Sequence, residues 1–159
     1  MILPVLCALL VALAFPPFGV WPLALVGWVF LLQPLVYGTT PKIASRYLAA
    51  YSFAVHLFGF YWLAYTLHEF GGMPWIIAVA VMLLLMAAFG VIPYYVGQLW
   101  GRFHARVPRL ARPPILVVVL VIFDSIDLRL FPWSPVMSVG QHPVLLSSVH
   151  MLGTTGWRI

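Results

Sequence analysis

Ionisable side chains are rare in this chain, and three of them stand close together ahead of a short aromatic motif. Asp124, Asp127 and Arg129 precede Phe131, Pro132 and Trp133. Two acids three residues apart share one face of a helix. Such a pair can act as general acid and base, but nothing beside it supplies a nucleophile or an ordered water. We therefore predict no catalytic residue in this chain.

The histidines and the cysteine do not form a metal-binding pattern either. His142 and His150 are eight residues apart and have no suitable carboxylate or thiol companions. Cys7, the single cysteine, cannot form an internal disulfide, and its apolar surroundings predict a buried small side chain. No metal and no cofactor are expected.

The composition indicates the solvent in which the protein folds. Of its 159 residues, 64% are hydrophobic and 7% are charged, and the mean hydropathy is +1.07. Soluble domains carry roughly a quarter charged residues. The composition therefore predicts an integral membrane protein.

Apolar blocks alternate with short polar breaks, which predicts an all-α, polytopic bundle of transmembrane helices. Residues 1–159 form one transmembrane domain in this interpretation, with irregular segments at its outer face. The third span is about 31 Å long if helical, enough for one bilayer crossing. Pro93 is expected to bend the last turn of the fourth. The five predicted spans, followed by the start of a sixth, cover residues 2–15, 21–37, 47–67, 73–95 and 113–130.

The basic residues predict the orientation of these spans. Lys and Arg favour cytoplasmic loops, and six of the eight basic residues lie between spans two and three or between spans four and five. They are Lys42, Arg46, Arg102, Arg106, Arg109 and Arg112. The net charge of +5 is thus assigned to a membrane surface, where each Arg gains about 1 kcal/mol from anionic lipid. The segment lacks the interleaved aromatic residues of an RNA platform, so no nucleic-acid partner is predicted.

The same geometry places acids inside the membrane. Asp124 lies roughly 16 Å along the fifth span, and His56 lies at a comparable depth in the third. A carboxylate at mid-membrane costs roughly 2.5 to 3.5 kcal/mol and should find a partner inside the bundle. We predict a contact between His56 and Asp124; alternatively, His56 is structural and hydrogen-bonds a backbone carbonyl across helices.

Aromatic residues and helix breakers coincide at the predicted outer boundary. Rings at this depth commonly form an interfacial belt. Glycine and proline nevertheless accompany them, and irregular backbone at this depth must pack in protein or line a cavity. We expect this side to hold a lipid, with candidate contacts at Trp62, Phe70, Gly71, Gly72, Phe131, Pro132 and Trp133.

Three motifs carry a family resemblance. They are LAFPPFGVWPLAL from Leu13, FGFYWLAYTLHEFGGMPW from Phe58, and LFPWSPVMSVGQHP from Leu130 followed by LGTTG from Leu152. Their order and spacing resemble the membrane part of bacterial apolipoprotein N-acyltransferase along nearly the whole chain. A similar membrane domain accompanies polyprenol-mannose synthases, but this chain has no glycosyltransferase segment.

The resemblance implies an activity that this chain cannot perform alone. Members of that family transfer an acyl chain from a phospholipid to the amino group of a lipoprotein's N-terminal diacylglyceryl-cysteine, at the outer side of the cytoplasmic membrane. Their chemistry belongs to a nitrilase-like domain with a Glu, Lys and Cys triad, which would follow the helices traced here. Cys7 has neither base nor cation nearby and cannot replace that nucleophile.

Two functional interpretations remain from the sequence. The favoured one is the membrane portion of such an acyltransferase, which anchors the catalytic domain and meets phospholipid and lipoprotein substrates. The alternative is a free-standing lipid-binding scaffold or a transporter fragment. The ending GTTGWRI lies where the family would begin another helix, so we expect a fragment of a longer enzyme. Oligomeric state is not predicted.

Overall fold

Helices account for all regular structure in the described part of the chain. The computed structural model describes residues 2–15 and 18–126, with side chains up to residue 123. The predicted all-α class is confirmed for these residues. The α-helices are α1 (Ile2–Ala12), α2 (Pro22–Tyr37), α3 (Pro41–Gly59), α4 (Leu63–Glu69), α5 (Trp75–Phe89), α6 (Val91–Phe103) and α7 (Arg112–Ile126), with short 3₁₀ turns at His104–Arg106 and Arg109–Ala111.

The start of α3 has a clear local cause. The side chain of Thr40 accepts a hydrogen bond from the amide of Ile43, and Pro41 occupies the first turn, where its missing amide hydrogen costs nothing. Pro22 also occupies the first turn of α2, which has no side-chain cap. A short connection at Gly38 separates the end of α2 from the start of α3.

The third predicted span is not one continuous helix, and the prediction was wrong on this point. The helix begins earlier, at Pro41, and ends at Gly59; α4 then continues at an angle of 53°. Residues 60–62 separate the two. The indole of Trp62 donates to the carbonyl of Gly59 across 3.2 Å, which satisfies one of the acceptors that the break leaves open. Uniform apolarity along this stretch concealed the break.

The fourth predicted span is longer than the sequence suggested. Its helical run extends from Trp75 to Arg106, 32 residues, with Gly90 between α5 and α6. The interruption at Gly90 precedes Pro93 by three residues, whereas we expected Pro93 to bend the final turn. The cause is still proline, because Pro93 has no amide hydrogen for the carbonyl of Phe89.

Antiparallel packing of α3 on α6 forms the centre of the bundle. A Cβ added to Gly97 would lie 2.5 Å from the carbonyl oxygen of Ala44, and one added to Gly101 would lie 2.4 Å from the Cα of Pro41. Glycines four residues apart let two helix backbones approach closely, which stabilises helix pairs in lipid through van der Waals contact. The N-terminal end of α3 therefore lies against the C-terminal end of α6.

The first two helices pack against this pair. Gly27 of α2 approaches the carbonyl of Cys7 in α1, where an added Cβ would lie 2.9 Å away. Cys7 is 1% exposed, which confirms the predicted buried side chain. Its cluster joins α1, α2, α3, α6 and α7 through Leu31, Leu35, Leu48, Val96, Trp100 and Leu116.

Within residues 2–15 and 18–126, one helix, the run Trp75–Arg106, is long and apolar enough to cross a membrane. The bent pair Pro41–Gly59 and Leu63–Glu69 makes a second if it counts as one broken span, and Ile2–Ala12 and Pro22–Tyr37 are shorter apolar helices. Only 22% of the most apolar window of Trp75–Arg106 is buried. Its side chains thus face outward, unlike those of a core helix in a soluble protein.

Candidate functional site

Side chains of α3 hydrogen-bond two carbonyls that prolines leave without donors. In α6, Pro93 cannot donate to the carbonyl of Phe89, and the hydroxyl of Ser52 donates to it across 2.9 Å. In α2, Pro34 cannot donate to the carbonyl of Phe30, and the hydroxyl of Tyr47 donates to it across 3.3 Å. An unpaired carbonyl in lipid costs several kcal/mol, so these bonds allow both prolines inside helices.

His56 lies one turn beyond Ser52 and belongs to the same region. Its Nδ1–H donates to the carbonyl of Ser52 across 2.7 Å, because a carbonyl can only accept. The ring stacks on Phe89 with centroids 4.6 Å apart and on Phe60 with centroids 5.9 Å apart. One ring nitrogen of His56 thus bonds a backbone carbonyl, as the structural alternative expects. The carbonyl belongs to its own helix, however, and not to a neighbouring one.

The predicted partner of His56 is not described. Asp124 lies in α7, but its side chain falls outside the described part of the chain, and the contact with His56 stays a prediction. Five further predicted site residues lie outside the described residues altogether: Asp127, Arg129, Phe131, Pro132 and Trp133.

The remaining lipid-site candidates lie in the bent segment around α4. Phe70 is 84% exposed and Trp62 is also exposed. Gly72 adopts φ of +63°, a left-handed conformation that disfavours a side chain. A Cβ on Gly71 would lie 2.5 Å from the carbonyl oxygen of Leu67. The glycine pair is thus required by the turn that joins α4 to α5, with Phe70 projecting beside it.

His68 fixes this turn and was missed by sequence reasoning. Its Nδ1–H donates to the carbonyl of Met73 across 2.7 Å, and its ring stacks on Trp75 with centroids 4.6 Å apart. Nε2 lies 4.0 Å from the carboxylate of Glu69. A histidine three residues ahead of the glycine pair Gly71 and Gly72 was the available signal. Tyr65 extends the aromatic surface, with its ring centroid 6.5 Å from that of Trp75.

The opposite end of the bundle is held by donors to the last turn of α2. The buried indole of Trp100 donates to the carbonyl of Leu35 across 2.8 Å. Arg112 donates to the carbonyl of Val36 across 3.3 Å and to that of Val107 across 3.1 Å. A cation at a helix C-terminus also interacts favourably with the helix dipole. Arg112 therefore has a structural role that its membership of the basic cluster did not suggest.

Metal ligation finds no support among the side chains that are described. Within residues 2–15 and 18–123, no three His, Cys, Asp or Glu side chains are grouped as a metal ion would need. The two candidate regions therefore differ in chemistry: an exposed aromatic turn at α4, and a basic end where α3, α6 and α7 meet.

This arrangement defines a class, an all-α domain whose exposed surface is largely apolar and which contains a membrane-length helix. The model of the apolipoprotein N-acyltransferase N-terminal domain family matches residues 7–158, and the chain belongs to that family. Relatives support the assignment. The chain is 30% identical over 135 residues to an apolipoprotein N-acyltransferase of Geobacter metallireducens, covering 84% of this chain and 26% of the relative.

Two further relatives show the same pattern of coverage. An apolipoprotein N-acyltransferase of Vibrio cholerae is 32% identical over 126 residues, covering 76% of this chain and 24% of the relative. One of Haemophilus influenzae is 32% identical over 107 residues, covering 66% and 20%. The chain spans about a quarter or less of the length of these relatives. The resemblance predicted from the three motifs is thus confirmed.

Proposed function

We propose that residues 1–159 form the membrane domain of an apolipoprotein N-acyltransferase, which transfers an acyl chain from phospholipid to the N-terminal diacylglyceryl-cysteine of lipoproteins. The family match over residues 7–158 carries this proposal. The domain anchors the catalytic domain that the family resemblance implies. It is inert by itself, because its only thiol, Cys7, is buried among apolar side chains.

The proposed placement is a multi-pass domain in the bacterial cytoplasmic membrane. Five spans cross the bilayer: α1, α2, the bent pair α3–α4, the run Trp75–Arg106, and the helix that begins at α7. The short lengths of α1 and α2 are compatible with crossing where neighbouring helices and a locally thinner bilayer accommodate them. The basic end faces the cytoplasm, and the α4 turn faces outward.

The outward α4 turn contributes to a lipid-facing floor beneath the catalytic domain. Exposed Trp62 and Phe70 offer rings to acyl chains, and Gly71 and Gly72 keep the backbone close to the turn. Phe131, Pro132 and Trp133 form the mouth of the same site in this proposal. Amphipathic and aromatic rings at the interface are suited to this role.

Inside the bundle, the second ring nitrogen of His56 meets Asp124, and Asp127 and Arg129 stand one turn further along. Cysteine cross-linking tests this pair. In a Cys7→Ala background, His56→Cys and Asp124→Cys should form a disulfide on mild oxidation, whereas Ser52→Cys with Ile76→Cys, which is 85% exposed on α5, should not. Equal yields from both pairs would contradict the contact.

Acyl transfer to a synthetic diacylglyceryl-cysteine peptide tests the enzymatic role. The chain would be assayed alone and joined to the part of the Geobacter relative that lies beyond their shared region, with the intact relative as control. We expect no transfer by the chain alone and clear transfer by the joined protein. A joined protein that inserts and folds but transfers nothing would favour the scaffold or transporter alternative.

Topology has its own test, since the chain contains a single native cysteine. Cysteines replacing Glu69 and Ala105, both exposed, would be introduced separately into Cys7→Ala and treated with a membrane-impermeant maleimide on intact spheroplasts. Labelling is expected at position 69 and not at 105. Labelling of both from the same side would overturn the orientation.

A further inference from the structure

The basic end of the bundle combines uncompensated cations with exposed apolar side chains. Lys42 and Arg102 are brought to the same end because Gly101 lies directly against Pro41. Arg106 and Arg109 follow in the two 3₁₀ turns, and Arg46 lies one turn into α3. All five side chains are exposed, unlike that of Arg112, which is half-buried and bonded to carbonyls.

These five cations have no anionic partner among the described side chains. None of them makes a side-chain hydrogen bond or ion pair within that part; the guanidinium of Arg106 lies 5.3 Å from the ring centroid of Phe103. The chain has only three acids. Glu69 ends α4, far along the chain from this end, and Asp124 lies roughly 18 Å further along α7 than Arg112. No described side chain therefore offsets the positive charge of this end, which leaves it open to an anionic ligand.

Apolar side chains beside the cations indicate what supplies the negative charge. Residues 104–111 form the connector between α6 and α7. In it, Leu110 is 95% exposed, and Ile43, next to Lys42, is 60% exposed. Exposed aliphatic groups are unfavourable in water, but they are stabilised when a bilayer takes them up beside the headgroups. A nucleic acid would satisfy the charges and leave Leu110 and Ile43 in water.

We propose that this basic end is a binding surface for anionic phospholipid headgroups, with Arg106 and Arg109 on the phosphates and Leu110 inserted among the acyl chains. Arg102, Lys42 and Arg46 extend the positive surface towards α3. Binding here fixes the depth of the connector between α6 and α7. Arg112 is not assigned to this surface, because its side chain is half-buried and two of its donors bond the carbonyls of Val36 and Val107.

Competitive lipid retention tests the surface on the full chain. The purified protein would be exposed to mixed micelles of phosphatidylglycerol and phosphatidylcholine in equal amounts, and the retained lipids counted by mass spectrometry. Because each arginine near an anionic surface gives about a fivefold preference, Arg106→Gln with Arg109→Gln should lower the phosphatidylglycerol ratio roughly tenfold or more at low salt. The matched Arg106→Lys with Arg109→Lys keeps the charge and should stay within about twofold.

Three outcomes would overturn the proposal. These are an unchanged lipid ratio in the glutamine variant, an equal loss in the lysine variant, or displacement of phosphatidylglycerol by single-stranded RNA with the same dependence on Arg106 and Arg109. If the glutamine variant does not fold, the salt dependence of lipid binding by the wild-type chain still tests the proposal. Its preference should largely vanish between about 20 mM and about 500 mM salt, and a preference that persists would contradict the surface.

Discussion

The hydroxyl of Ser52 lies 2.9 Å from the carbonyl oxygen of Phe89, the acceptor that Pro93 leaves without an amide donor. This pair connects α3 to the break between α5 and α6. The same relationship occurs between Tyr47 and Phe30, where Pro34 is the cause. One helix thus carries the donors that two proline-containing neighbours lack.

Removing the Ser52 hydroxyl should destabilise the protein more when Pro93 is present than when it is replaced. Ser52→Ala is expected to lower the free energy of unfolding by roughly 0.6 to 1.7 kcal/mol, the range of hydrogen bonds between membrane helices. In a Pro93→Ala background, the new amide can donate to Phe89, and the cost of Ser52→Ala should shrink. Unfolding by SDS in mixed micelles would measure all four proteins. Identical costs in the two backgrounds would show that the bond does not compensate for proline.

The close approach of α3 and α6 predicts a sharp difference between glycines. Gly97→Ala places a methyl group 2.5 Å from the Ala44 carbonyl, so it should destabilise the protein by about 1 to 3 kcal/mol. Gly59→Ala is the matched control, because an added Cβ there meets nothing within 4 Å. Thermal unfolding in detergent compares the two. The helix interface would be wrongly described if Gly97→Ala were as stable as Gly59→Ala.

Arginines of the basic end should separate into structural and surface residues. Arg112→Gln removes a charged donor from the carbonyls of Val36 and Val107, with an expected loss of roughly 1.5 to 3 kcal/mol. Arg109→Gln, at an exposed position, should change stability by less than about 0.5 kcal/mol. The same unfolding titration reports both. Equal losses would remove the distinction between them.

Trp133 tests the proposed lipid mouth in the joined acyltransferase. Trp133→Ala should raise the phospholipid concentration needed for half-maximal transfer several-fold while membrane insertion stays intact, because the indole contributes apolar contact area to the lipid. Trp28→Ala, in the packed region near α1, serves as a control for general loss of packing. Unchanged turnover at limiting phospholipid would count against a role for Trp133 in lipid binding.

Sequence patterns predicted the helical class, the family and the positions of most helices, because long apolar runs between polar breaks leave few other structures. They did not predict the break at residues 60–62, since the residues on both sides are equally apolar. The spacing of Gly97 and Gly101 was a usable signal for close packing that went unused. The pairing of Ser52 with Phe89 could not be foreseen, because it depends on which helices are neighbours and in what register.

During synthesis, Phe30 is made seventeen residues before the side chain that completes its hydrogen bonding, and Phe89 is made thirty-seven residues after its own donor. The carbonyl of Phe30 in α2 therefore lacks its donor until Tyr47 has been made. The carbonyl of Phe89, by contrast, is made after the Ser52 hydroxyl that bonds it. The order of synthesis thus leaves the hydrogen bonding of α2 incomplete until α3 has been added beside it.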